Sequence, residues 1–302
     1  MGPIRRVQEE IEKRSLPGGG WATGNGQRAG IETTCYALMA LHDRQAPACD
    51  RAINLLLRTQ NPDGSWPAFE GDDPEGCWTT ALAAIALRFI RSPSGPIKKA
   101  VSWLLNYEGR EGHWFWRWKF RTVDRAVQFN PEKYGWPWFS GTVSWVVPTA
   151  FSLIALKQSF PCCRTGFVAN RIQLGTEMLR DRACPQGGWN AGNGIVFGSP
   201  LTPHVDTTAI ALLTLTEDRK QPSVFQALNW LREASVECSS AYSLAWAAVA
   251  LLMLHDQAAD LCINRLHTVL DSNRSLPNTE TLSLASIAIN VAQDKANPFE
   301  VR

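Results

Sequence analysis

The sequence predicts an all-α ring of about six helical hairpins in two concentric layers, and three observations carry that prediction. A Gly-rich turn ending in Trp precedes a small-residue helix opening on Thr, and this phrase occurs four times. The helices after those turns are apolar nearly all round, so they form an inner layer. The stretches between them are apolar on one face only, so they form an outer layer.

The first copy is PGGGW at 17–21 before TTCYALMAL, and the second is PDGSW at 62–66 before TTALAAIAL. The third reads as EGHW at 111–114 before PTAFSLIAL, and the fourth is PQGGW at 185–189 before TTAIALLTL. The helix-opening threonines Thr34, Thr80, Thr149 and Thr208 stand 46, 69 and 59 residues apart, the length of a helical hairpin plus insertions. Outer helices are expected at 48–60, 96–107, 166–182 and 222–234. Two more inner helices without the Trp turn fall at 241–254 and 279–292, with an outer partner at 258–270. About six pairs are enough to close a ring. The whole chain, 1–302, reads as one such domain with a Trp-rich insertion at about 110–147, because Trp114 and Thr149 are 35 residues apart where Trp21 and Thr34 are 13.

Composition agrees: 302 residues bury an ample core, and 45% hydrophobic with 19% charged residues suits a water-soluble chain. A net charge of +2 without a basic run gives nucleic acid no electrostatic footprint, so no nucleic-acid partner is expected. The opening MGPIRRVQEEIEKRS is charged and amphipathic, neither signal peptide nor membrane span, which leads to the expectation of a cytoplasmic protein. Eight cysteines (Cys35, Cys49, Cys77, Cys162, Cys163, Cys184, Cys238, Cys262) show no metal-clip spacing and read as small buried hydrophobes.

RTQNPDGSW at 58–66 resembles the QW motif of the terpenoid cyclase and protein prenyltransferase superfamily, whose members are α/α toroids. CPQGGW, ending on Trp189, is a second good copy, and the likeness extends from residue 17 to about 292. It implies that Gln60 caps a helix end with its amide against the Trp66 ring, a structural clamp. It is specific for fold and much less so for reaction.

HVDTTA at 204–209 resembles the acid motif D-x-D-D-T-A of the type II, protonation-initiated cyclases. On that pattern the proton donor falls on Asp206, with His204 and Thr207 where the flanking carboxylates stand. The oxidosqualene cyclases, whose single Asp is followed by Cys-Thr-Ala, are similar in lacking those flanking acids. A carboxyl group buried in an apolar cavity keeps its proton to higher pH, and a neighbouring hydroxyl or imidazolium stabilises the anion left behind. The competing reading of Asp206 is an ordinary N-cap. Glu32 stands at the same offset before Thr34.

Tryptophan is the second functional signal: of thirteen, Trp114, Trp116, Trp118, Trp136, Trp138 and Trp145 fall in one segment. Aromatic faces stabilise carbocations, so Trp114, Trp136, Trp138 and Trp145 are the expected substrate-binding residues, lining a mouth for a hydrophobic isoprenoid. Arg117, Lys119 and Arg121 alternate with aromatics and suit a diphosphate or a peripheral membrane contact. The prenyltransferase reading needs a zinc-binding thiolate two residues after the Asp, where this chain has Thr208, so neither metal nor other cofactor is expected. The alternative to a cyclase is a non-catalytic toroid that binds a lipid or protein partner. Because full-length triterpene cyclases enclose substrate between two helical domains, a partner domain or subunit is a further expectation. A sugar-acting toroid would want paired carboxylates in a polar cleft. The acidic loop Glu70, Asp72, Asp73, Glu75 reads instead as solvated or cation-binding.

Overall fold

The computed structural model describes residues 3–24, 26–44, 46–72, 74–123, 128–160, 165–272 and 276–301. Cys162, Cys163 and Asp73 lie outside them. Thirteen α-helices occur among the described residues: α1 Pro3–Lys13, α2 Ile31–Ala40, α3 Pro47–Thr59, α4 Thr79–Phe89, α5 Ser94–Asn106, α6 Trp114–Thr122, α7 Val146–Ser159, α8 Gly166–Asp181, α9 Val205–Thr214, α10 Pro222–Glu237, α11 Ala241–Met253, α12 Ala258–Ser272 and α13 Thr279–Ala292. The only named strands among them are two residues each, β1 Ile195–Val196 and β2 Ser199–Pro200, forming a small antiparallel hairpin.

Six helices make the inner ring. Contacts run α2 to α4, α4 to α7, α7 to α9, α9 to α11, α11 to α13, and α13 back to α2. Outside them, α3 packs on α2, α5 on α4, α8 on α7, α10 on α9, α12 on α11, and α1 on α13. The amphipathic N-terminal segment therefore supplies the sixth outer helix. Inner helices are buried almost throughout: every residue of α4 from Thr79 to Leu87 is enclosed, whereas α3 encloses only Ala48, Ala52, Leu55 and Leu56.

Two hydrogen bonds repeated in each Trp turn set the ring's geometry. The Trp backbone N–H donates to the hydroxyl of the inner-helix threonine, at 3.1 Å for Trp21 to Thr34, 2.9 Å for Trp66 to Thr80, 2.9 Å for Trp136 to Thr149 and 2.9 Å for Trp189 to Thr208. The indole N–H donates to a carbonyl in the last turn of the outer helix, that of Ile11, Leu56, Leu104 and Leu179 respectively. Such carbonyls have no intrahelical partner, so each Trp caps one helix while tethering the next. All four rings are fully buried.

The third turn is therefore YGW, ending on Trp136, and the expected EGHW copy is corrected. Residues 110–112 form a 3-10 turn and Trp114 opens α6, 68% exposed. The insertion lies upstream of the conserved geometry: Leu104 and Trp136 are 32 residues apart where Leu56 and Trp66 are 10. A second, smaller insertion carries β1 and β2 between Trp189 and Thr208, 19 residues apart. Gln60 also differs in detail from expectation. Its amide donates to the carbonyls of Gly64 and Pro96, both at 2.9 Å, tying its turn to the start of α5.

Within the turns, Gly64 takes φ +97° and a Cβ there would lie 2.6 Å from the Lys99 carbonyl, so only glycine fits. The third turn has its own brace. Arg171, buried, stacks 3.5 Å over the Trp136 ring and donates to the carbonyls of Gly135 and Tyr107, at 2.8 and 3.1 Å. Burial pulls its guanidinium down to about 10. Buried Glu111 secures the insertion, accepting from the Ser144 N–H at 3.1 Å and pairing with buried Arg182 at 3.5 Å.

Candidate active site at the axial mouth

The inner helices all start at the Trp-turn end of the ring. The first helical hydrogen bonds, from Thr34, Thr149, Thr208, Leu244 and Leu282 back to Gly30, Trp145, His204, Ser240 and Asn278, fix a common register. Two residues before those donors stand Glu32, Val147, Asp206, Tyr242 and Glu280, and Trp78 takes the same place before Thr80. Each of the six helices thus contributes one rim residue, among them three carboxyl groups, one phenol and one indole. Four residues further on, the same face carries Tyr36, Leu82, Phe151, Ile210, Trp246 and Leu284, all buried.

That face points at the ring axis. Tyr36 and Trp246 meet edge-to-face at 5.8 Å although α2 and α11 are not ring neighbours, and Phe151 of α7 meets Trp246 at 5.8 Å from the other side. Trp78 stands 5.7 Å from Phe151 and 5.0 Å from Trp138. From the opposite end of the ring Phe299 packs 4.9 Å from Trp246. The axis holds a buried aromatic column, and the acidic rim stands at its Trp-turn end.

The groups at the mouth interact. Thr33 donates to Glu280 Oε1 at 2.6 Å, and its hydroxyl lies 2.9 Å from that of Thr23. Glu32 keeps slight exposure as a residue while its carboxyl is enclosed; burial, reinforced by the charge of Glu280 and opposed by the Tyr36 hydroxyl, pushes it from 4.5 up to about 8. Burial also raises the Tyr36 and Tyr242 phenols, with Glu32 and Glu280 adding to both and Asp206 to Tyr242. Tyr36 Oη and Trp246 Nε1 are buried without a well-formed hydrogen bond.

The structure distributes the expected residues unevenly. Asp206 is on the rim, and its Oδ1 accepts from the buried Thr207 N–H at 2.9 Å. The N-cap position belongs to His204, whose side chain caps nothing, so Asp206 is a first-turn residue and not the cap. His204 makes no ion pair with Asp206 among the described residues; it lines an outer cleft of about 440 Å³ with Trp145, Asn190 and Leu201. Trp138 stands beside the rim against Trp78. Trp136 is fully buried in its turn, which sets it with Trp66 and Trp189 as a structural residue and removes it from any solvent-facing mouth. Trp114 lies apart on α6, where no residue is buried. Of the three cations there, Arg121 pairs with Glu132 and Lys119 sits 4.8 Å over Trp116. Glu70 of the acidic loop pairs with Arg58 at 2.5 Å. Sequence reasoning missed Glu280, Tyr242, Tyr36 and Trp246, and gave Glu32 only a capping role.

No family model matches the chain. Among curated proteins, it is 29% identical over 129 residues to a drimenyl diphosphate synthase of Streptomyces showdoensis, covering 41% of this chain and 24% of that protein. It is 31% identical over 104 residues to a type B diterpene cyclase of Mycobacterium tuberculosis, covering 33% and 21%. The aligned parts thus span about a quarter or less of those relatives' length. Among solved structures, the type II terpene cyclase MstE from Scytonema superposes with a TM-score of 0.61 at 16% identity, over 96% of this chain and 97% of that one. An alpha-amylase from Clostridium perfringens superposes with a TM-score of 0.68 at 9% identity, over 95% and 97%. The chain is an α/α toroid similar in part of its sequence to terpenoid cyclases, and glycoside-acting proteins have the same fold.

Proposed function

We propose that the chain is an isoprenoid-acting protein of the type II cyclase kind, a lyase or isomerase that starts its reaction by protonating a polyprenyl substrate. The observation that supports this reading is the register: the acid motif's Asp206 stands at the same end of the ring, and on the same helical face, as the rim residues that precede the axial aromatic side chains. The motif resemblance assigns Asp206 as donor, with Thr207 beside it and His204 at the neighbouring cleft. Aromatic faces such as Trp78, Phe151 and Trp246 favour a carbocation by about 0.5 to 2 kcal/mol each when desolvated. The sequence relatives are named for terpenoid chemistry, which favours an alkene over a sugar at this mouth.

The non-catalytic alternative, a toroid holding a lipid or protein partner, has one observation in its favour: the column is filled from below by Phe299, which confines a ligand to the mouth. Five of the six rim residues are also part-exposed, so water exclusion calls for the inserted segments, a partner domain or subunit, or a membrane surface. No described helix is long and apolar enough to cross a membrane. The exposed α6, with Trp114, Phe115 and Trp118 beside Arg117, suits a peripheral contact. Incubation with squalene, oxidosqualene, and farnesyl and geranylgeranyl diphosphates, followed by mass spectrometry of the products, tests the reading. A cyclised product that Asp206→Asn forms more slowly supports it; failure of every isoprenoid to bind or react moves the function to the non-catalytic alternative.

A further inference from the structure

Within the cyclase reading, on which the inference rests, we infer that Glu32, in place of the Asp206 that the motif resemblance assigns, is the acid that delivers the proton, with Glu280 and Tyr36 as its positioning residues and Asp206 as a second carboxyl group beside the cation. Three features of the mouth point to Glu32. Its carboxyl is enclosed beside Glu280 and the Tyr36 hydroxyl, whereas Asp206 has its Oδ1 turned to its own helix's first-turn amide. Its neighbour Glu280 is held from behind by the chain of hydroxyls Thr23 and Thr33, the latter donating at 2.6 Å, so the pair has fixed geometry. Finally, two buried donors without a well-formed hydrogen bond, Tyr36 Oη and Trp246 Nε1, lie on the same axial face one turn below the rim. A buried donor left unpaired is costly and is expected where a ligand or a newly formed anion supplies the partner.

The groups facing Glu32 can be named for each inner helix. Helix α13 contributes Glu280, α11 contributes Tyr242, α9 contributes Asp206 across Tyr242, and α2 itself adds Tyr36 and Cys35. Helices α4 and α7 bring Trp78 and Val147, which do not titrate. No cation appears in this set, and a carboxyl group enclosed among like charges and apolar rings keeps its proton. The elevation of Glu32 to about 8 agrees with that geometry. Two carboxyl groups pushed apart in acidity by their surroundings give an acid and its anionic partner.

The chemical step balances without a co-reactant. The O–H bond of Glu32 breaks as the π pair of the terminal alkene forms a new C–H bond, leaving a tertiary carbocation at the rim beside Trp78 and a carboxylate on Glu32. The Tyr36 hydroxyl, which already faces the Glu32 carboxyl group, then donates to the carboxylate and tightens a contact that was not well formed before transfer. A C–H bond of the cyclised cation then breaks, its electron pair forming the product alkene and its proton returning to the Glu32 carboxylate through solvent, so the net change is an isomerisation.

The test begins with the proton itself. In full-length protein labelled with glutamate bearing 13C at the side-chain carboxyl, one resonance is expected to titrate near pH 8, to vanish in Glu32→Gln and to remain in Asp206→Asn. A spectrum with no glutamate titrating above neutrality, or with that resonance surviving in Glu32→Gln, overturns the inference. On any isoprenoid that the unaltered protein converts, Glu32→Gln is expected to cost a hundredfold or more in kcat with ligand binding by Trp fluorescence retained. Glu32→Asp is expected to recover part of it, and Tyr36→Phe to lower kcat with little change in KM. An Asp206→Asn variant that is dead while Glu32→Gln turns over would overturn the inference and leave the cyclase reading standing. Failure of every isoprenoid to bind would remove both, whatever the titration shows.

Discussion

Replacing Trp136 by Ala measures how much one Trp turn holds the ring together. The side chain is fully enclosed, and truncating a buried aromatic costs about 3 to 5 kcal/mol. The Leu104 carbonyl, which receives the indole N–H at 2.8 Å, would lose its partner, at about 1 to 3 kcal/mol. Arg171, 3.5 Å above the ring, would lose a cation–π contact worth about 1 to 2 kcal/mol in such a dry setting. These terms overlap, so a loss of about 5 kcal/mol or more is expected, comparable to the whole stability of many domains. Trp136→Phe keeps most of the packing and removes the donor, and should cost about 1 to 3 kcal/mol. Trp114→Ala, on the exposed helix α6, should stay within about 0.5 kcal/mol of the parent. Urea unfolding followed by far-ultraviolet circular dichroism reads all three. Equal losses for Trp114→Ala and Trp136→Ala, or an unchanged midpoint for Trp136→Phe, would show that the third turn is assigned to the wrong tryptophan.

Other perturbations reach different parts of the molecule. Glu32 is held at about 8 against 4.5, so between those values the unfolded chain has released a proton that the folded chain retains. Stability from this group therefore falls as pH rises through that window, by at most about 1.4 kcal/mol per unit, and is flat outside it. Glu32→Gln should flatten the slope and melt higher than the parent at pH 9; parallel melting curves across the window would contradict it. Gly64→Ala, forced to φ +97° against the Lys99 carbonyl, should lower stability by more than about 1 kcal/mol in thermal melts. If α6 meets a membrane, Trp114→Ala with Trp118→Ala should release the protein from vesicles containing phosphatidylserine in a sedimentation assay, and unchanged pelleting would refute that contact.

Most of the ring was legible because burial imposes a pattern on sequence. The apolar runs expected at 241–254 and 279–292 appear as Ala241–Met253 and Thr279–Ala292, and the amphipathic run at 166–182 as Gly166–Asp181. The third turn was misplaced because EGHW looks like the other turns in composition, although spacing carried the answer: Trp136 precedes Thr149 by 13 residues, as Trp21 precedes Thr34. The acidic mouth was half visible. Asp206 and Glu32 follow a Trp turn that marks their register, whereas Tyr242 and Glu280 open helices with no such marker. Their convergence depends on ring closure, which brings α13 beside α2 across almost the whole length of the sequence. Arg171, as a charged residue on an amphipathic helix, gave no sign that it would be drawn under a tryptophan.

The closure of α13 onto α2, with α1 lying over the seam, leaves the polypeptide without a privileged first hairpin. An open array of helical pairs frays from its ends and melts in pieces, its stability a sum of neighbour terms. Here each pair is flanked on both sides, so opening at any one seam exposes two apolar walls together, and a single cooperative unfolding transition is the natural outcome. The same topology makes the order of the hairpins a matter of where the backbone is cut. A circular permutant that joins the stretch after α13 to α1 and opens the chain in the loop between α2 and α3 should close the same ring, with its acidic mouth unchanged.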